Sequence, residues 1–253
     1  MTQAVVPGVV RWLLLPYDTG QFPFAEVLRR DVFRVSRLDL LHEYVRASRR
    51  RAGGRDRLTP QDNLMLRGLM QDLPDDSPFY QMYRAFMLHV LAARVGKPLS
   101  FSSHPKMRVH LAGTPTVSTF HHDITVTKRI DQVNFWMPFT DVDGTAALWL
   151  ESDYGRGDFA PRPVRYGEVL IFDGGYLDHG TVANRSSTTR VSLDMRFCLR
   201  GATTREEGIR LLDILSKPKL RGRRGVGYQT YQMRTRAAGS SHSLSLALTS
   251  NAV

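Results

Sequence analysis

The chain has 253 residues, of which 42% are hydrophobic, and it carries 35 Lys and Arg against 24 Asp and Glu, a formal net charge of +11. This composition is that of a globular protein and excludes a disordered or fibrous chain. The single cysteine, Cys198, excludes an intrachain disulfide and therefore a disulfide-stapled secreted scaffold. The apolar stretch at 5–16 is interrupted by Pro7, Gly8 and Arg11 and is too short to span a bilayer. We therefore expect a soluble, cytoplasmic protein with no membrane partner.

The positive charge is concentrated in two arginine-rich segments, at 46–57 and at 217–236. Such segments can bind phosphate backbones, but they are more often solvated loops and helix ends. Only five of the 35 basic residues are lysines, so the charge also reflects a general preference for arginine. The composition therefore does not by itself predict a nucleic-acid partner, and it carries no signature of oligomeric state.

The first hundred residues are predicted to be mainly helical. Start and stop signals mark three helices: one around 38–45 that ends at Gly53-Gly54, one after Thr59-Pro60, and one from Ser77-Pro78 to Gly96. Apolar residues recur at helical spacing along the third, which predicts one face that packs against the rest of the domain.

From about residue 101 the hydrophobic period changes to two, which is typical of strands. The predicted strands lie at 107–111, 132–140, 145–151, 168–173 and 189–199. Glycine-containing turns separate them, so we predict a mainly β fold, an antiparallel sandwich or barrel with N-terminal helices. We place one domain at 1–236, with helical support at 1–100, the β core at 101–200 and a C-terminal extension at 201–236. The Ser-rich segment 237–253 is expected to be a disordered tail.

The pair His121 and Asp123 is the first candidate for chemistry. We interpret 117–126 as a strand, on which residues two apart point to the same face, so that an imidazole and a carboxylate can bind one metal ion. Taken alone, the pair is equally typical of a polar surface. His179, at the end of a predicted strand, could add the third ligand of a two-histidine, one-carboxylate site, which leaves open positions on non-haem Fe(II).

Arg190 and Ser192 follow on the last predicted strand, where the side chains from Arg190 onward divide sharply into a polar and an apolar face. One interpretation is an edge strand with a solvated polar face. The other is a ligand-lined cavity in which Arg190 forms a bidentate pair with a carboxylate and Ser192 adds a hydroxyl donor.

Together, His121-x-Asp123, His179 and Arg190-x-Ser192 resemble the pattern of the Fe(II)/2-oxoglutarate-dependent dioxygenases. The segments 133–142 and 147–152 resemble the phytanoyl-CoA-hydroxylase-like branch, and the chain is similar to bacterial oxygenases of the streptomycin-biosynthesis type. The resemblance covers roughly residues 100–200, and it is specific to the superfamily but not to a substrate.

The resemblance implies a double-stranded β-helix, or jelly roll, with helices packed on its major sheet. It implies Fe(II), the co-substrate 2-oxoglutarate and O₂, with succinate and CO₂ formed as an unactivated C–H is hydroxylated. Asp123 argues against a halogenase, which has a small residue at this position; desaturation, ring closure and epimerisation stay open. A small polar metabolite, such as an amino acid or a natural-product or antibiotic intermediate, is the expected substrate.

Three further residues are weaker candidates for the co-substrate site. Asn134 could donate to the co-substrate or be a structural amide. Arg108 could touch co-substrate or substrate, and Arg196 could be a second carboxylate contact or simply pair with Asp194.

Two other functions compete with this interpretation. Arg190 and Arg196 have the Arg-x₅-Arg spacing of AlkB-like nucleic-acid dealkylases, although Ser192 and Asp194 depart from that family's residues between the arginines. A cupin-like binding protein without catalysis is the other alternative, and the full set of candidate ligands disfavours it.

Overall fold

The computed structural model describes residues 10–217. The strands among them are β1 (Trp12–Pro16), β2 (Leu99–Phe101), β3 (Lys106–His110), β4 (Val133–Pro138), β5 (Leu148–Leu150), β6 (Ala160–Arg162), β7 (Glu168–Phe172), β8 (His179–Gly180) and β9 (Arg190–Leu199). The α-helices are α1 (Phe24–Val27), α2 (Leu41–Arg51), α3 (Pro60–Gln71), α4 (Pro78–Phe86), α5 (Ala93–Val95), α6 (Ile124–Thr127) and α7 (Arg205–Ser216). The predicted extension beyond 217, its basic segment and the predicted tail lie outside the described residues.

The strands form two antiparallel sheets. The larger has the order β1-β7-β4-β9-β2, with β3 also paired to β9, and the smaller has the order β6-β5-β8. Strand β9 pairs with β4 along one edge and with β3 and then β2 along the other. Every second side chain of β9 therefore faces the same side of the large sheet.

The N-terminal helices pack on one face of the large sheet. Phe24, Phe79 and Phe86 are fully buried there and meet Phe135 and Phe139 of the sheet side, with ring centroids 5.7 to 6.0 Å apart. The opposite face shares a smaller apolar cluster with the small sheet, to which Trp136 and Phe172 contribute from one side and Leu150 from the other. The two sheets thus pack together on the face that the helices leave open.

The predicted helix boundaries follow the capping chemistry. Ser77 Oγ accepts a hydrogen bond from Tyr80 N at the start of α4, and α4 continues through a π-helical segment, Met87–Ala92, and α5 to Gly96, which has a positive φ. Thr59 and Asp62 form a capping box at the start of α3. The prediction of a mainly β protein with N-terminal helices is confirmed.

The strand predicted at 117–126 is wrong, and two other segments carry elements that were not predicted. Residues 12–16, placed in the helical region, form strand β1 and pair with β7. The segment 117–126 is not a strand, because its β pairing is limited to an isolated bridge at His121 and helix α6 begins at Ile124. The C-terminal extension begins with a packed helix, α7, whose Leu211, Leu212 and Leu215 are fully buried.

Among residues 10–217, no helix is long and apolar enough to cross a membrane.

Candidate metal centre

His121, Asp123 and His179 come together, and one potential ligand atom of each lies within 4.8 Å of the others. His121 and His179 form a two-way backbone bridge, with N–O distances of 3.0 and 2.9 Å. Asp123 immediately precedes α6, and its backbone N donates to Gly174 O at 2.8 Å. The predicted convergence of the three side chains is therefore correct, although a bridge and a helix start bring it about instead of a strand.

Hydrogen bonds orient both imidazole rings. His121 Nδ1 lies 2.7 Å from Thr119 O, and His179 Nδ1 lies 3.0 Å from Leu177 O. A carbonyl oxygen only accepts, so each Nδ1 carries a proton, which leaves Nε2 as the metal-binding nitrogen whenever the ring is neutral. The Nε2 of His121 lies 3.4 Å from Asp123 Oδ1. The two Nε2 atoms and the carboxylate form a donor set that suits a divalent transition metal.

Asp123 is buried and is held by two neighbours on the large sheet. Asn134 Nδ2 donates to Oδ2 at 2.7 Å, and Arg196 donates to Oδ2 at 2.6 Å and to Oδ1 at 2.5 Å. Burial opposes ionisation of Asp123, but hydrogen bonds from His121, Arg196 and Asn134 and the neighbouring His179 hold its pKa well below the usual range. Arg196 thus pairs with Asp123 and not with Asp194, and the donor atoms of Asn134 are directed to Asp123.

The two histidines differ in their electrostatic environment. The hydrogen bond with Asp123 raises the pKa of His121, whereas burial lowers the pKa of His179. Burial therefore favours the neutral form of His179, which is the form that binds metal.

Two glycines allow the close backbone approaches that build this centre. A Cβ at Gly174 would lie 2.4 Å from Asn134 Cγ, and a Cβ at Gly180 would lie 2.8 Å from Phe120 Cα. A side chain at either position would displace a neighbour of a candidate ligand.

Arg190 is buried, with 2% of its surface exposed, and no carboxylate of the described residues lies within salt-bridge distance. Its terminal nitrogen donates to Ala146 O at 3.1 Å and Ala147 O at 3.4 Å, while Nε has no partner. Burial and the nearby Arg108 lower the pKa of Arg190 to about 10, so it stays charged at neutral pH. An unpaired buried guanidinium is costly unless an anion joins it.

Ser192, Arg108 and His110 surround Arg190 on β9 and β3. Ser192 is fully buried, its Oγ has no partner, and it lies opposite Arg108 in the strand register. Arg108 Nε donates to Asp194 Oδ2 at 2.7 Å, and His110 lies opposite Arg190. The predicted polar face of β9 is therefore an interior face and not a solvated edge.

One narrow cavity connects the candidate ligands with the arginines: His121, Asp123 and His179 line it together with Arg190, Arg108 and Arg196. A more open groove of about 440 Å³ adjoins it and shares Asp194 and Arg196 with it. Hydroxyl and amide side chains of Ser100, Ser102 and Gln132 line this groove. Because β9 runs from Arg190 past Arg196 to Cys198, the groove lies toward the end of β9 opposite to Arg190.

A buried carboxylate that the sequence pattern did not single out, Glu151, binds the chain directly before His179. Glu151 is fully buried and accepts hydrogen bonds from the backbone N atoms of Gly155, Gly157 and Asp178, at 3.0, 3.0 and 2.8 Å. It thereby fixes the residue that precedes His179. The signal was a glutamate that ends an apolar strand and precedes a Gly-x-Gly turn.

No protein-family model matches the chain. The streptomycin biosynthesis protein StrG of Streptomyces griseus is 31% identical to it over 178 residues, which cover 67% of this chain and 82% of the relative. The predicted similarity to proteins of the streptomycin-biosynthesis type is therefore confirmed, while the phytanoyl-CoA-hydroxylase-like branch stays a prediction.

Several solved structures are similar at low identity. HygX from Streptomyces hygroscopicus, with nickel and 2-oxoglutarate bound, has a TM-score of 0.46 at 14% identity, covering 77% of this chain and 85% of HygX. The nickel complex of the non-haem monooxygenase ThoJ also has a TM-score of 0.46, at 10% identity, covering 77% and 76% of the two chains. SnoK, a non-haem α-ketoglutarate-dependent carbocyclase from nogalamycin biosynthesis, has a TM-score of 0.37 at 17% identity, covering 47% and 61%.

The match to StrG extends over most of both proteins and includes a sequence identity of 31%. On this ground the chain belongs to the family of the streptomycin biosynthesis protein StrG.

Proposed function

We propose that the chain is a non-haem Fe(II)/2-oxoglutarate-dependent dioxygenase that hydroxylates an unactivated C–H of a small polar metabolite. The observation that carries the proposal is the pairing, in one cavity, of the His121, Asp123 and His179 cluster with the unpaired buried guanidinium of Arg190. A two-histidine, one-carboxylate set fits Fe(II), and a buried guanidinium fits the distal carboxylate of a dicarboxylic co-substrate.

The residues present fit both groups. His121, Asp123 and His179 would hold the iron, and Arg190, with the unpartnered hydroxyl of Ser192, would bind the distal carboxylate of 2-oxoglutarate. When bound, these groups and O₂ supply the oxidising chemistry, with 2-oxoglutarate converted to succinate and CO₂. We also propose that the fold is a double-stranded β-helix, or jelly roll. Two facing antiparallel sheets with helices outside the larger one are expected of this fold.

The side chains around the site have separate tasks in this proposal. Asn134 and Arg196 keep Asp123 ionised and oriented, so they are positioning residues and not co-substrate contacts. Arg108, held by Asp194, faces the cavity beside Ser192 and can contact co-substrate or substrate. The apolar walls from Trp136 and Phe172 keep water away from the reacting groups.

The polar groove next to the cavity supports a polar metabolite as substrate, such as an amino acid or an antibiotic intermediate. The groove lies beside the C-terminal half of β9, whereas Arg190 is at the N-terminal end of this strand. Substrate can therefore approach the metal from the side opposite to the co-substrate site. Its size of about 440 Å³ is within the range of small-molecule sites. We expect Gln132→Leu to raise the substrate KM and to leave the 2-oxoglutarate KM unchanged, with the exposed Gln21→Leu as a control.

The reaction is tested by O₂ uptake and succinate release with Fe(II) and 2-oxoglutarate, while amino acids, aminocyclitols and peptides are screened for stimulation. Asp123→Ala should abolish turnover. Arg190→Ala should raise the 2-oxoglutarate requirement about tenfold or more, because a buried bidentate contact is lost. Full activity of Asp123→Ala without added carboxylate would overturn the metal assignment, and an unchanged requirement in Arg190→Ala would overturn the co-substrate site.

A further inference from the structure

The turn at 173–177 connects two of the three candidate ligands. Gly174 O accepts the hydrogen bond from Asp123 N, and Leu177 O accepts the hydrogen bond from the ring of His179. The turn is closed by Leu177 N, which donates to Asp173 O at 2.8 Å. Any shift of this turn therefore moves the backbone of Asp123 and rotates the ring of His179 together.

The turn is anchored by a buried carboxylate and two aromatic rings. Asp173 is 5% exposed, and its Oδ2 accepts from Tyr154 Oη at 2.6 Å and lies 3.9 Å from a terminal nitrogen of Arg205. The guanidinium carbon of Arg205 lies 3.6 Å from the ring centroid of Tyr176 and 5.2 Å from that of Tyr154. A guanidinium stacked on an aromatic ring is attracted by the ring electrons, and more strongly where water is excluded.

The backbone of Arg205 is held in place, because Arg205 is the first residue of α7. A capping box formed by Thr204 and Glu207 defines the start of this helix, and Leu211 and Leu212 bury its apolar face in the main core. Gly208 brings the helix so close to the chain that a Cβ there would lie 3.2 Å from Asp131 O. The guanidinium is thus carried by a rigid element that does not itself line the metal cavity.

We infer that Arg205 is a positioning residue for the metal centre and acts through Tyr176, Tyr154 and Asp173 on the 173–177 turn. Helix α7 would in this way set the geometry of Asp123 and His179 although none of its residues touches the metal. The inference rests on the proposed metal centre and assigns α7 a role in it. Partners that orient metal ligands typically change metal affinity by about 10–100-fold when they are removed.

The test is titration of the metal-free full-length protein with Co(II), followed by calorimetry and by the visible spectrum, which reports the ligand geometry. Arg205→Ala should raise the Co(II) dissociation constant about tenfold and alter the spectrum. Arg205→Lys should give a smaller loss, because it keeps the charge but lacks the planar stacking group. Arg210→Ala, an exposed residue on the same helix, should bind as the wild type does.

A purely structural role would lower the free energy of unfolding but leave the Co(II) affinity and spectrum of the folded protein unchanged. A folded Arg205→Ala protein with a dissociation constant within twofold of wild type would overturn the inference. Tyr154→Phe removes only the hydroxyl that holds Asp173, so it gives the same test if Arg205→Ala does not fold.

Asp123→Ala separates this inference from the proposed function. If it binds Co(II) as tightly as the wild type, the metal centre itself is wrongly assigned. If it loses Co(II) while Arg205→Ala and Tyr154→Phe keep it, the centre is correct and only the role of Arg205 is wrong.

Discussion

Gly180 lies directly after His179 and has Phe120 packed against its backbone. A Cβ would meet Phe120 Cα at 2.8 Å and Phe120 N at 2.9 Å, next to the bridge that joins His121 to His179. We expect Gly180→Ala to lower stability by about 1–3 kcal/mol, as overpacking does, and to weaken Co(II) binding, because the two histidines move apart. Urea unfolding and Co(II) titration measure the two effects.

The control for that substitution is Gly54→Ala. Gly54 is exposed, and the nearest atom to its Cβ would be Arg49 O at 3.6 Å, so we expect a change within about 0.5 kcal/mol. Co(II) affinity unchanged in Gly180→Ala would show that the contact with Phe120 does not fix the histidines.

His110 makes the free energy of unfolding depend on pH. It is fully buried, its Nε2 donates to Pro115 O at 2.9 Å, and burial together with the charge of Arg190 lowers its pKa to about 3. An unfolded histidine titrates near pH 6.5. Between about pH 6.5 and 3 the unfolded state therefore binds a proton that the folded state does not, so stability falls as the pH falls.

We expect the free energy of unfolding of the wild type to drop by about 2 kcal/mol more than that of His110→Gln between pH 7 and pH 5. Glutamine can still donate to Pro115 O but does not titrate. Urea unfolding at the two pH values measures the difference, and His89→Gln, at an exposed position, should keep the wild-type profile. Parallel profiles for wild type and His110→Gln would mean that His110 binds a proton as readily in the folded state as in the unfolded state.

At the scale of elements, helix α7 depends on its first turn. Thr204 Oγ1 accepts from Glu207 N at 3.4 Å, and Glu207 Oε2 accepts from Thr203 N at 2.9 Å and Thr204 N at 3.1 Å. We expect Thr204→Ala to cost about 1 kcal/mol of unfolding free energy and Thr204→Ser to cost little. Equal unfolding midpoints in urea for the alanine and serine variants would contradict a capping role.

The sequence predicted elements wherever the signal was local. Alternation along 190–199 identified β9 and its polar face but not the direction of that face, and the Ser77-Pro78 and Thr59-Pro60 pairs marked helix starts where the structure has them. The capping box at Thr204 was also a local signal, and it would have predicted α7.

The structure that the sequence did not predict depends on distant partners. Strand β1 lacks alternation and is defined by pairing with β7, more than 150 residues further along the chain. Likewise, spacing identified His121, Asp123 and His179, but only the register of β4 and β9 brings Asn134 and Arg196 to Asp123. Contacts across strands determine which polar residues bind ligand and which hold another residue in place.

At the scale of the whole molecule, the excess positive charge is unevenly distributed. Six of the 35 basic residues and none of the 24 acidic residues lie at 218–253, so residues 1–217 carry a formal charge of only +5. Within the cavity, Arg196 is paired with Asp123 and Arg108 with Asp194. Two of the three arginines of the cavity are therefore already paired with carboxylates, which leaves only Arg190 for an anion and disfavours the dealkylase alternative.

Arg190 should lower the stability of the whole protein when no co-substrate is bound and raise it when co-substrate is bound. A buried guanidinium without a carboxylate partner costs folding free energy, whereas a bound dicarboxylate stabilises the folded state by mass action, about 2.7 kcal/mol at one hundred times its dissociation constant. We expect Arg190→Met to lose this ligand-dependent stabilisation, because methionine fills much of the same space without a charge. Urea unfolding with Ni(II), with and without 2-oxoglutarate, measures it in the absence of turnover. The exposed Arg200→Met should keep the wild-type response. If Arg190→Met is stabilised by 2-oxoglutarate as strongly as the wild type, the co-substrate binds elsewhere, and the burial of Arg190 would need a structural explanation.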